Sequence, residues 1–103
     1  MTNQDVLVLA KQYVAEVKKS GIPVKTAYLF GSYSNGTAHK DSDIDICIVS
    51  PLFSTDRQTE RVKLMGITHL LSEDIEPHPI SLQEYNSRFN PFIKEVKKGI
   101  KLV

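Results

Sequence analysis

The run Asp43-Ile44-Asp45-Ile46-Cys47-Ile48-Val49 constrains this chain most, because its acids and isoleucines alternate with the period of a β-strand. Successive strand side chains point to opposite faces, so Asp43 and Asp45 share one face while Ile44, Ile46 and Ile48 fill the other. At roughly 3.3 Å of rise per residue, the two aspartate Cα atoms stand about 7 Å apart. Two carboxylates at that spacing can converge on shared ions.

What precedes this run gives the acids a context. Lys25 to Phe30 is β-branched, aromatic and apolar, and reads as a buried strand that runs directly into Gly31. Gly31 lets the backbone approach a ligand closely, and Ser32 supplies a hydroxyl. If the following residues form a helical turn, their free amides and the positive end of its dipole favour a phosphate, and Gly36 ends or kinks that turn. A phosphate turn therefore precedes an acid pair.

Oxygen ligands on a rigid strand suit Mg2+, which takes one or two protein carboxylates and completes its shell with water and substrate phosphates. Two such ions about 3.5 to 4 Å apart stabilise the attacking and leaving oxygens of an in-line displacement at phosphorus. An acceptor hydroxyl would attack the α-phosphate, and pyrophosphate would leave. Competing motifs fail: a calcium loop starting at Asp41 needs Gly sixth and Glu twelfth, where this chain has Ile46 and Leu52. No P-loop signature occurs in the chain.

Gly31-Ser32, the second glycine Gly36, and Asp43-x-Asp45 within Ser-Asp-Ile-Asp-Ile together resemble the DNA polymerase β-like nucleotidyltransferase superfamily, in particular its minimal nucleotidyltransferase (MNT) branch. The resemblance implies that Gly31, Ser32 and Gly36 serve the nucleotide and that Asp43 and Asp45 ligate Mg2+. It also implies a third carboxylate on a neighbouring strand, acting as metal ligand and base toward the acceptor hydroxyl. Glu76 is the first candidate and Asp74 the second. Many relatives carry a basic residue where this chain has Asn35, a contact that Lys40 could replace. Pro77 and Pro79 lack amide hydrogens, so the strand carrying Glu76 fits only an edge of the sheet or a solvent-facing bonding side.

The rest of the chain predicts an α/β (α+β) scaffold, a small mixed β-sheet flanked by helices. From Thr2 to Lys19, Val6, Leu9, Ala10, Tyr13, Val14 and Val17 recur at helical spacing, with Thr2 and Asp5 as a capping box and Gly21 and Pro23 as the stop. Pro51 to Thr55 reads as a loop, followed by a helix from Asp56 to Ser72 whose buried side carries Val62, Met65, His69 and Leu70. Ser81 to Glu84 is a capping box opening a short helix. Asn90-Pro91 starts another helix that ends near Gly99, and Ile100 to Val103 forms a terminal edge strand or a docked tail.

With 103 residues the chain reads as one nucleotidyltransferase domain, 1–103. A net charge of +1 provides no basic stripe for binding long nucleic acid, and Lys94, Lys97, Lys98 and Lys101 read as a solvated surface. No stretch approaches the roughly 20 apolar residues of a membrane span, and a signal-peptide core is absent. The single Cys47 reads as a small buried residue, consistent with a reducing, cytoplasmic setting.

A chain this short has little room for a domain gripping the second substrate, so a partner is expected to complete the site, in a homo- or hetero-oligomer. The MNT resemblance implies a small helical HEPN-domain toxin as that partner, with AMP transferred from ATP to a partner tyrosine. A non-catalytic antitoxin that masks the same partner stoichiometrically is the alternative reading. A sugar transferase using Asp43-x-Asp45 is disfavoured, because such enzymes need a larger nucleotide-sugar domain.

Overall fold

Residues 44–49 of the acid-and-isoleucine run form a strand that takes the interior of the sheet, while Asp43, expected to share its face with Asp45, lies just before it. The computed structural model describes residues 3–39, 42–54 and 56–103. In chain order the elements are α1 (Asn3–Lys19), β1 (Thr26–Phe30), α2 (Ser32–Asn35), β2 (Ile44–Val49), α3 (Arg57–Thr68), β3 (Ile75–Ile80), α4 (Leu82–Tyr85), α5 (Pro91–Lys97) and β4 (Ile100–Lys101). The strands form one mixed sheet in the order β3-β2-β1-β4, as the α/β reading expects. β1 runs antiparallel to β2 and β4, whereas β2 and β3 are parallel and joined through α3. A parallel pair needs such a crossover, because no tight turn can return the chain to the same end of the sheet.

Alternation sorts the two faces. Ala27, Leu29, Ile44, Ile46, Ile48 and Ile75 pack on one side against Val6, Ala10, Tyr13, Val14 and Val17 of α1 and Leu64 of α3. The α1 positions recur at three- and four-residue intervals, the stripe a helix needs to lie on a sheet. The Tyr13 hydroxyl donates to the Leu64 carbonyl at 2.8 Å, tying the two helices together, and burial pushes its phenol well above the usual range. Thr2, half of the expected α1 capping box, lies outside the described residues.

The opposite face carries Tyr28, Phe30, Cys47, Val49 and Ile80, covered by Ile93 and Val96 of α5. Asn90 caps α5, its side chain accepting from the Phe92 and Ile93 amides at 3.0 and 3.4 Å. Ser81 and Glu84 complete the capping box of α4 reciprocally. Residues 100–101 form the terminal edge strand rather than a loose tail.

β3 is the other edge strand, which accommodates its prolines. The Ile44 amide donates to the Asp74 carbonyl at 2.8 Å and the Ser50 amide to the Ile80 carbonyl at 3.2 Å. In a parallel ladder the bonding residues of one strand recur every second position, so 74, 76, 78 and 80 face β2. Pro77 and Pro79 fall between them, where a missing N–H breaks no bond.

α3 departs from expectation in length and in face. It ends at Thr68 rather than Ser72, and just beyond it the Leu70 and Leu71 amides bond three residues back to the Ile67 and Thr68 carbonyls. Val62, Met65 and Leu70 are 64%, 45% and 68% exposed and His69 is exposed, while Leu64 and Thr68 are buried. Two apolar series, 62-65-69 and 64-67-68-71, interleave at helical spacing, and docking against α1 selects the second. Leu64→Ala should therefore cost about 2–4 kcal/mol and Val62→Ala under about 0.5 kcal/mol in urea unfolding. The reverse order would contradict this helix phase.

Candidate active site

β1 ends at Phe30, which pairs with Asp45 of β2, and the chain then turns away at Gly31. Gly31 has φ 77° and ψ −149°, a region that only glycine enters freely. A Cβ at Gly31 would lie 2.5 Å from Asp45 Oδ2. The absent side chain lets the turn lie directly against the Asp45 carboxylate.

The expected helical turn follows as α2. The Ser34 and Asn35 amides donate to the Gly31 carbonyl at 3.1 and 3.2 Å, and Ser34 Oγ donates to the same oxygen at 2.9 Å. Gly36, left-handed at φ 80°, ends the turn. Asn35 Oδ1 accepts from the Thr37 hydroxyl at 2.6 Å and the Thr37 amide at 3.2 Å. Asn35 thus braces the turn, where a basic residue would offer charge. Lys40, the suggested replacement for that charge, lies outside the described residues.

Asp45 is half-buried and pairs across the parallel ladder with Glu76 of β3. His78, two residues beyond Glu76, projects from the same face by strand alternation. Its Nε2 lies 3.1 Å from Asp45 Oδ1. The His78 ring is wedged between Phe30, with centroids 5.0 Å apart at 63°, and Phe92, 5.7 Å away at 44°. Glu76 Oε1 accepts from Arg61 Nη2 of α3 at 2.7 Å. This pair is partly exposed, so it orients the carboxylate more than it stabilises the fold.

One ligand atom from each of Asp45, Glu76 and His78 lies within 4.8 Å of the other two. With metal–oxygen bonds of about 2.1 Å, adjacent ligands of an octahedron stand about 3.0 Å apart and opposite ones about 4.2 Å. The three atoms fit a divalent cation with minor side-chain adjustment. Asp43 is exposed immediately before β2 and is not part of this cluster, nor is Asp74. Gly36 has open space around it, with nothing within 4 Å of a Cβ.

His78 went unassigned in the sequence, although a signal was present: it stands two residues from Glu76 on the same strand. Beside it a cavity of about 180 Å³ is lined by Arg57, Arg61, His78, Pro79, Ile80 and Phe92. Cys47, also on this face, is fully buried, and burial pushes its thiol up to about 12.

The model of the nucleotidyltransferase domain family matches residues 10–102 of the chain. A stretch of 43 residues is 42% identical to the protein adenylyltransferase MntA of Shewanella oneidensis, covering 41% of this chain and 31% of that protein. The match spans about a third of that relative's length. A solved structure assigned as a nucleotidyltransferase, from Sulfolobus solfataricus, superposes with a TM-score of 0.68 at 23% identity, covering 98% of this chain and 90% of that one. A toxin-antitoxin structure with AMP-PNP gives a TM-score of 0.58 at 29% identity, over 90% of this chain and 72% of that one. A mutant of the toxin-antitoxin MntA-HpeT gives 0.55 at 23% identity, over all of this chain and 73% of that one. At 23% identity, the first and third of these structures attest the fold alone.

Gly31→Ala should destabilise the protein by about 1–3 kcal/mol, from backbone strain, and push the added methyl into Asp45. Thermal melting measures the first effect, and loss of divalent-cation binding the second. A raised thiol pKa leaves almost no thiolate at pH 8, so Cys47 should resist Ellman's reagent in the native protein and react fully once it is unfolded in urea.

Proposed function

The chain belongs to the nucleotidyltransferase domain family, and on that premise we propose that it transfers AMP from ATP, with Mg2+, to a hydroxyl. The acceptor is a tyrosine of a small helical HEPN-type toxin, and the transfer makes this chain an antitoxin. One observation carries this reading: Asp45 lies at once against the Gly31 turn and opposite Glu76 on the adjacent strand. A glycine turn and two carboxylates converge there, an arrangement suited to receiving a phosphate and a divalent cation together.

In this reading Gly31, Ser32 and Gly36 shape the backbone that receives the triphosphate. Asp43 and Asp45 supply carboxylate oxygens beside it, with Glu76 as the third ligand. Bound Mg2+ would offset the charge developing on the phosphate oxygens. Glu76, braced by Arg61, accepts the proton of the attacking hydroxyl on a carboxylate oxygen. The hydroxyl oxygen bonds the α-phosphorus as the bond to pyrophosphate breaks.

The reading of the acceptor rests on two supports. The cavity beside His78, about 180 Å³, is smaller than the about 300–1,000 Å³ usual for small-molecule sites, which fits an acceptor presented by a second protein. The similarity to a protein adenylyltransferase and to a toxin-antitoxin structure with AMP-PNP points the same way. No described helix is long and apolar enough to cross a membrane. The need for ATP would place the reaction in the cytoplasm.

Incubation with labelled ATP, Mg2+ and a small helical HEPN-type protein tests the proposal. Asp43→Asn with Asp45→Asn should lower AMP transfer by at least about 100-fold, or about 2.7 kcal/mol of barrier. Undiminished transfer would remove the metal role of these aspartates. Neutralisation of the partner that survives both substitutions would favour stoichiometric masking instead.

A further inference from the structure

We infer that His78 is a direct nitrogen ligand of the cation, making the centre proposed above to work with Mg2+ a mixed nitrogen and oxygen site that binds Mn2+ more tightly. The inference rests on the metal-dependent reading above and names the donor that sets metal choice. The His78 Nε2 lies 3.1 Å from Asp45 Oδ1, close to the edge length of an octahedron, and one of the His78 ring nitrogens lies within 4.8 Å of the Glu76 donor. Phe30 and Phe92 flank the ring, so its orientation toward the carboxylates is established by packing before any ion arrives. β3 is paired to β2 through this stretch, with Asp45 opposite Glu76 and Cys47 opposite His78, so the donors sit on rigid strands.

The donor chemistry then determines selectivity. Mg2+ favours an all-oxygen shell and dehydrates reluctantly, whereas imidazole suits first-row transition metals. Mn2+ accepts carboxylate and imidazole together, and Asp45, Glu76 and His78 offer that set. A His78 that only held Asp45 in place would bond the carboxylate and leave the shell all oxygen.

Pulsed electron paramagnetic resonance of bound Mn2+ separates these cases, on the full chain alone and with AMP-PNP. A directly coordinated imidazole should give nitrogen-14 modulation, converted to the nitrogen-15 pattern when histidine is labelled. The coupling should persist in the His39→Asn, His69→Asn double variant, which keeps His78 as its only histidine. It should vanish in His78→Asn, and the ratio of Mn2+ to Mg2+ affinity should fall by at least about 10-fold, since disturbing even a residue that supports a metal ligand costs about 10- to 100-fold in affinity. The double variant carries the result if His78→Asn fails to fold. Bound Mn2+ without nitrogen coupling, coupling lost from the double variant, or no Mn2+ bound in either condition overturns the inference. Coupling present while AMP transfer is absent supports His78 as ligand and rejects the transfer reaction, so the two readings fail separately.

Discussion

β2 is hydrogen-bonded on both sides, antiparallel to β1 and parallel to β3, and the two registers meet at Asp45. Phe30 stands opposite it on one side and Glu76 on the other. A slip of one residue in either pairing would turn the whole strand over, burying the acids and exposing isoleucines. Because the isoleucine face is fully buried beneath α1 and α3, that slip would remove a large apolar area from the core. The hydrophobic face therefore holds the register, and the register holds the carboxylates. The site is precise because the core beneath it is.

The same strand explains why the site is open at one end. On the face of Asp45, the far half of β2 carries Cys47 and Val49, which α5 covers with Ile93 and Val96. The near half carries Asp45, beside a turn that reaches it only because Gly31 lacks a side chain. Apolar residues draw a helix over one half, and the polar half stays half-buried. His78 sits at the boundary, its ring among the aromatics and its Nε2 at the carboxylate. Arg61 reaches Glu76 from α3, the crossover that makes the parallel pairing possible.

Elements whose signals are local were legible before the fold was known. The α1 stripe, the Ser81 capping box, the Asn90-Pro91 start and the edge position demanded by Pro77 and Pro79 each depend on a few neighbouring residues, and each is present. The buried face of α3 is not legible locally, because its two interleaved apolar series are equivalent until a partner chooses between them. That partner includes Tyr13, 51 residues away in the chain. The role of His78 is hidden for a similar reason: as a strand residue between prolines it carries no motif, and its meaning comes from Asp45, 33 residues earlier.

The sequence by itself determined the strand alternation, the glycine turn and the acid pair, because these follow from backbone sterics and side-chain direction within a few residues. Tertiary structure alone decided which side chains converge, bringing Glu76 and His78 to Asp45 while leaving Asp43 exposed before the strand. That choice depends on cross-strand register, which is a property of the packed sheet. No local stretch of chain contains it.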